Sequence, residues 1–481
     1  MLIPFEPPPG LNSDDTAFAA EGRWADGNNA RFRLGRAQTI GGWSKKGATA
    51  FTTARSTFAW QNQSNQEVVA IASTTAPKLQ VNVAGTVSNV SPASITIGTH
   101  ASMDLYGSTL IVSGNGGGIV QWDGNPSNVA TAVTNAPATA TCIVVTPERQ
   151  LLALGTNEEV STTFNGMCIR GSDIEDITSW TSLPTNNAFE HVLENGGTFI
   201  RDARMVGPYV AVWTDSALFV GQFIGDPAQT YRFTRIASNC GLIQNGAIVT
   251  FGSSAVWVSP ARDFWAWTVG TEPERLTCSI LKDFQANMRD VGGGTSKVIG
   301  WRNTSFNEAW FFYGDSRDAS ALTSRYVAFS IDEKVWFRGQ LGRLAAGRTM
   351  IRDDAAIYKP YTIDMAGLIQ VHETGATADG SALTWHIQSA DYYFNESQRR
   401  VMVKGCIPDF EDQSGDVALT LTVRRRPQEA AVTKGPYTLT TATTKKDFRA
   451  SGKIFTVKFS GSSTYARLGK PLFDTVMMGE G

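Results

Sequence analysis

The sequence predicts a mainly β protein: a β-propeller of about six to seven blades, with an added C-terminal β-sandwich-like domain and an extended N-terminal arm. Three observations lead there. The composition comes first, with 481 residues, 46 Gly and 13 Trp, 42% hydrophobic and only 18% charged. Such a chain can bury large cores. Its glycines supply positive φ for tight turns, and its aromatic rings suit pleated surfaces. The second observation is a recurring pattern of strand, short turn and aromatic strand, as in "MDLYGSTLIVSGNGGGIVQWDG" (103–124), "VGPYVAVWTDSALFVGQF" (206–223), "FGSSAVWVSPARDFWAWTVG" (251–270) and 306–339. With weaker copies at 56–74, 147–171 and 353–375, hairpins recur at the ~45–50-residue spacing of propeller blades. Third, these strands are apolar on both faces. In 255–258 both Ala255/Trp257 and Val256/Val258 are apolar, and in 264–267 both Phe264/Ala266 and Trp265/Trp267. A sheet covering one side of a core alternates apolar with polar, whereas a blade stacked between two others does not.

Taken in chain order, residues 1–48 read as an N-terminal arm or edge strand. A Pro-rich lead precedes "GNNARFRLGRAQTIGGW" (27–43), where Ala30, Phe32 and Leu34 alternate with Arg31 and Arg33. The alternation fits an edge strand of this chain or an arm laid on a neighbour. Residues 49–383 form the propeller, with an excursion from a blade around 176–200. "SILKDFQANMRDV" (279–291) is the one segment with helical spacing. Residues 384–481 form the C-terminal β domain, because "DVALTLTVRRRP" (416–427) and "GKIFTVKFSG" (452–461) alternate as two-faced strands.

Five widely spaced cysteines without a CxxC pair suggest buried thiols rather than a disulfide framework or a zinc site. The opening "MLIPFEPPPGLNSDD" lacks the basic and apolar regions of a secretory leader. No run approaches the roughly 18 apolar residues of a membrane span, so none is expected. Charge is uneven: residues 396–481 carry 14 Lys plus Arg against 9 Asp plus Glu, and the rest of the chain carries 28 against 35. Separate surfaces for separate partners, or simply uneven solvated faces, both fit this asymmetry.

No catalytic, cofactor-binding or metal-binding residue is expected. The four histidines, at 100, 191, 372 and 386, have no HxH or HExxH spacing, and His372 and Glu373 are adjacent strand residues that point to opposite faces. There is no nucleophile elbow, Walker loop or EF-hand spacing, and the Gly-rich "SGNGGGIV" (113–120) lies between strands with no following helix. "TADGSALTW" (377–385) comes near the Asp-box turn of sialidases but has Asp and Gly adjacent. A sialidase-like site would also need Arg262, Arg325 and Tyr326 to converge. In "VRRRP" (423–427) only alternate side chains share a strand face, which favours a solvated strand end or a subunit contact over a phosphate clamp. Ser259, Arg262 and Asp263, at the bend of 253–270, read as turn chemistry.

Five stretches carry a resemblance: "RWADGNNARFRLGRAQTIGGW" (23–43), "DARMVGPYVAVWTDSALFVGQFIGDP" (202–227), "FNEAWFFY" (306–313), "RYVAFSIDEKVWFRG" (325–339) and "HETGATADG" (372–380). Together, in this order, the chain resembles the tail hub or nozzle (tail tube) structural proteins of short-tailed bacteriophages. The resemblance implies a non-enzymatic virion protein, made in the host cytoplasm and residing in the tail, six copies of which form a ring. It implies contacts with the tail adaptor or head-to-tail connector and with fibres or spikes, and the passage of double-stranded DNA through the lumen during ejection. A lumen that lets DNA pass should avoid dense Lys and Arg, since every phosphate neutralised adds affinity. Arg424, Arg425 and Arg426 are then expected at protein contacts. A carbohydrate-binding or sialidase-like glycan-active propeller is the alternative function.

Overall fold

The computed structural model describes residues 1–16, 19–93, 95–290, 297–319, 322–352, 359–394 and 399–478. Among them, seven four-stranded antiparallel sheets follow one another along the chain. Their first strands are Ala54–Gln61, Ser102–Tyr106, Ala140–Val145, Ile200–Val206, Ile248–Phe251, Ile299–Asn303 and Ala345–Ala346. Each adjoins the next, and the last adjoins the first, so the seven close into a ring. The fold is therefore a seven-bladed β-propeller, numbered here blades 1 to 7 in that order.

Apolar residues on both strand faces find their partners in neighbouring blades. In blade 5, Ala255, Val256, Trp257 and Val258 are all buried. Trp257 meets Trp213 of blade 4 edge-on at 5.5 Å, while Phe264 meets Phe311 and Trp336 of blade 6 at 5.4 and 4.4 Å. Trp257 Nε1 also donates to the Cys240 carbonyl at 2.7 Å, so the indole is buried without an orphaned donor. All five cysteines are buried and unpaired. Burial pushes their thiols up, Cys240 to about 11 and Cys168 to about 12, and leaves them packing groups rather than nucleophiles.

The excursion expected at 176–200 contains the outer strand of blade 3, Phe189–Val192. What lengthens this blade is the connection preceding that strand. The expected helix is Leu281–Asn287, shorter than the 279–291 expectation, whose Val291 lies outside the described residues. Its own Ile280 offers no side-chain cap; instead the Asp14 carboxylate accepts the N–H groups of Leu281 at 2.8 Å and Lys282 at 3.1 Å. Residues 353–358 of the weak repeat at 353–375 also lie outside the described residues.

Residues 1–48 do not stand apart as an arm. Trp43–Lys45 pairs with Ile369–His372 and supplies the fourth strand of blade 7, so the ring is closed by an early segment of the chain. Leu2–Pro4 pairs with Leu472–Met477, Trp24–Asn28 with Thr384–Ser389, and the Ala30–Arg33/Arg36–Thr39 hairpin joins Tyr465–Leu468. The C-terminal domain is thus built from both ends of the chain. Two of its sheets face each other across aromatic rings: Phe394 touches Phe455 on one and Phe473 on the other, at 5.1 and 5.0 Å. This domain lies against the outer strand of blade 6, Val335–Gly339, through Trp24–Asn28 and Ala30–Arg33.

Candidate functional site

The first strands of the blades enclose a central channel of about 420 Å³. Its polar groups stitch one blade to another. Arg348 of blade 7 donates to Asp104 of blade 2 at 2.6 Å, and the same carboxylate accepts Val145 N of blade 3 at 3.1 Å. Asp202 of blade 4, wholly buried, accepts Arg204 at 3.0 Å and Gly246 N, leading into blade 5, at 3.0 Å. Lys297, 5% exposed, donates to the carbonyls of Leu344 and, at 3.3 Å, Arg55. Arg204 and Arg348 each pair with a carboxylate in the channel wall.

Among the described residues the Lys297 ammonium donates to carbonyls and pairs with no carboxylate. Burial, and then the charge of Arg55, push its pKa down from 10.5 to about 7. Between pH 7 and 10.5 the unfolded chain keeps a proton that the folded chain has released, so stability rises with pH through that window. Below pH 7 the folded state carries the full cost of the buried charge. Thermal unfolding of wild type should therefore shift upward between pH 7 and 9.5 relative to Lys297→Met, by up to about 3 kcal/mol at ~1.4 kcal/mol per pH unit. Parallel pH profiles of the two proteins would refute this.

The residues singled out in the sequence fall as follows. Ser259 and Asp263 close the bend between the aromatic strands: Ser259 N donates to the Asp263 carbonyl at 2.9 Å, and the Ser259 hydroxyl donates to the Asp263 carboxylate. That carboxylate also accepts Trp265 Nε1 at 3.0 Å and pairs with Arg275 at 2.8 Å. Arg262, at φ 59°, donates to the carbonyls of Gln285 and Met288 at 3.1 and 3.0 Å and pairs with Asp290, bracing the end of the helix. Arg325 pairs with Asp318 at 2.9 Å in the same ionic belt, where Arg317 joins Asp283 to Asp315 and Arg338 joins Asp283 to Asp26. Tyr326 points to the other face of its strand, buried and stacked on Trp310 at 4.0 Å. Arg262, Arg325 and Tyr326 do not converge on one pocket. His372 and Glu373 also part company. His372 lies between Trp43 and Trp301, with Nε2 2.8 Å from Thr362 Oγ1 and 3.1 Å from Arg343. Asp379, in the Asp-box-like stretch, accepts Lys45 N at 3.2 Å as a turn residue at φ 49°. Arg424 pairs with Asp391, whereas Arg425 and Arg426 are exposed in the turn after their strand.

Glu373 leads to a densely built, buried polar cluster. Arg31, which the alternating pattern puts on a polar strand face, is fully buried because blade 6 and the blade 7 loop cover that face. It grips Glu373 with two hydrogen bonds of 2.6 and 3.1 Å and lies 3.2 Å from Glu308, itself 1% exposed. Glu373, at φ 61°, also accepts Gly41 N at 3.0 Å and Asn303 Nδ2 at 2.6 Å. Glu308 accepts Trp310 Nε1 at 2.8 Å, and the Phe306 ring lies 3.8 Å from the Arg31 guanidinium. One guanidinium cannot balance two buried carboxylates. Burial outweighs the attraction of Arg31 and, reinforced by the Glu373 charge, pushes the Glu308 pKa up to about 7. The arrangement holds the N-terminal hairpin, blade 6 and blade 7 in one register, and Glu308, with Arg33 and Phe306, borders a small cavity of about 160 Å³. Sequence reading missed Arg31 and Glu308 as structural centres. The available signal was the carboxylate that opens the otherwise apolar run "EAWFFY" (308–313).

No family model and no curated protein matches the chain. Among solved structures, a streptogramin B lyase aligns with a TM-score of 0.41 and 10% identity, covering 68% of this chain and 94% of the lyase. The N-terminal domain of Nup159 aligns with a TM-score of 0.38 and 10% identity, covering 69% of this chain and 95% of that domain.

Proposed function

We propose that this chain is a non-enzymatic structural subunit of the tail of a short-tailed bacteriophage, a hub or nozzle component that assembles into a sixfold ring, conducts DNA at ejection and anchors fibres or spikes. The observation that supports this reading is where the resembling stretches meet. Arg31 from 23–43, Glu308 from 306–313, Tyr326 from 325–339 and Glu373 from 372–380 come together at or beside a single buried ionic cluster between the domains. Residues far apart in the chain, from four of the five stretches that carry the resemblance, are spent on fixing one domain against another. The DNA path belongs to the ring and not to the propeller. The major groove of B-DNA alone is ~12 Å wide, and a duplex does not thread a space of about 420 Å³ bridged by Arg348 and Asp104.

Electron microscopy of the purified chain and of phage particles containing it tests the reading. A sixfold ring with a central hole, at the distal end of the tail in particles, is expected. Isolated monomers that cleave a sialoside would replace it with the glycan-active alternative.

A further inference from the structure

In the larger sheet of the C-terminal domain, Trp24–Asn28 lies against blade 6 and Val432–Leu439 forms the opposite edge. Four strand spacings separate them, about 19 Å. The outer edge therefore projects away from the propeller. It is exposed along almost its whole length and ends beside a cluster of cations. Arg425 and Arg426 occupy the turn leading into it, and Lys453 N donates to the Arg424 carbonyl at 3.0 Å, which brings a third cation alongside. Among the described residues none of these three side chains forms an ion pair; the Glu429 carboxylate accepts the backbone N–H groups of Arg425 and Arg426, at 3.1 and 3.2 Å. Val432, at 54% exposure, adds apolar surface to the same end.

Blade 3 has the opposite character. Residues 140–200 hold eight Asp and Glu against two Arg, of which Arg170 is buried and spent on the Trp180 carbonyl. Among the described residues none of the eight carboxylates forms an ion pair, in contrast to the balanced belt at blades 5 and 6. Glu158 follows Asn157, the strand partner of Phe164, Glu190 accepts the Glu159 N–H, and Glu194 follows Leu193, whose N–H donates to the Met167 carbonyl at 3.0 Å. Phe164 is 54% exposed, and Phe199, over whose ring the Arg201 guanidinium lies at 4.3 Å, packs against the nearby Gly166, where an added Cβ would sit 2.7 Å from it. Exposed apolar surface rimmed by unpaired charge is the make-up of a contact region.

These two surfaces lie on opposite sides of the molecule, since in a ring of seven, blade 3 is three blades from blade 6 in one direction and four in the other. We infer that copies of this chain associate head to tail, the basic outer edge of the C-terminal domain of one (Arg425, Arg426, Lys453, Val432) seating on the acidic rim of blade 3 of the next (Glu158, Glu190, Glu194, Phe164). The inference rests on the proposed ring and names the surfaces that build it. A heterologous contact between two different patches closes a ring when its rotation permits, which an isologous patch does not. Opposite charge sets the register and rejects edge-to-edge pairing of two basic edges.

The test uses two charge-reversed full-length variants, Arg425→Glu/Arg426→Glu/Lys453→Glu and Glu158→Lys/Glu190→Lys/Glu194→Lys. Mass is followed by sedimentation velocity from about 50 to about 500 mM salt, and circular dichroism checks that both fold. Wild type should associate, and more weakly as salt rises. Each variant alone should lose association by at least about tenfold, because like charges then face each other. Mixed together, the two should regain it: the acidic blade of the first matches the basic blade-facing edge of the second, and the reversed pair matches equally. Wild-type rings with folded variants that assemble unchanged overturn these surfaces and leave the ring reading standing. A wild type that stays monomeric at low salt, with no ring in particles, overturns both.

Discussion

Arg31→Met should destabilise the protein by about 3–5 kcal/mol, the cost of stranding buried charge when one partner of a desolvated pair is removed. Met fills the space of the aliphatic stem but lacks the guanidinium that lies 3.8 Å from the Phe306 ring, so lost packing there adds to the electrostatic cost. Glu373 would keep its hydrogen bonds from Gly41 N and Asn303 Nδ2 but lose its cation, while Glu308 would be driven further towards its protonated form. A double variant, Arg31→Met/Glu373→Gln, should recover part of the loss, because the amide removes the unbalanced charge. Chemical denaturation of the three proteins measures both quantities, and the Lys45–Asp379 pair provides a control. Its side chains are 55% and 28% exposed, so Lys45→Ala should change stability little. If Arg31→Met cost no more than that control, the cluster would not be what fixes the two domains together.

Removing residues 1–47 should abolish cooperative folding altogether. The deletion takes the fourth strand of blade 7, three further strand segments and a hairpin partner from the C-terminal domain, the Asp14 cap of the helix, and Arg31. An open propeller leaves a blade with an uncovered edge, and neither β domain can close its sheets without these strands. Far-UV circular dichroism should keep β structure while the sharp thermal transition disappears, and a dye that binds exposed apolar surface should bind strongly. Adding the 1–47 peptide in trans should restore a sharp transition. A truncated chain that melts cooperatively near the wild-type temperature would show that ring closure by Trp43–Lys45 contributes little.

Much of the propeller was legible because its evidence is local. Two-faced apolarity at 255–258 and 264–267 is visible in consecutive residues, and it forces a stacked arrangement whatever the partners are. The recurrence likewise follows the blades, whose first strands begin at Ala54, Ser102, Ala140, Ile200, Ile248, Ile299 and Ala345, a spacing that departs most from 45–50 residues on either side of blade 3. Ser259 and Asp263 could be read as turn chemistry because the bend satisfies their polar groups nearby, whereas the Arg262 side chain reaches across to the end of the helix. The ionic cluster was not legible in this way. Alternation in "ARFR" (30–33) says that Arg31 and Phe32 lie on different faces. It does not say that a second domain covers the polar face and leaves Arg31 at 0% exposure.

The sequence by itself determined the strand-rich class, the stacked blades and the two-faced strands of the terminal segments, since periodicity and composition act over a few residues. Only the tertiary structure decided that Trp43–Lys45 closes the ring, that the two ends of the chain build one domain, and that Arg31, Glu308 and Glu373 meet. The physical reason is that a strand's pattern specifies which face must be buried but not which strand, hundreds of residues away, will bury it. That choice is made by closure of the whole ring, where every unpaired edge and every buried charge must find its partner at once.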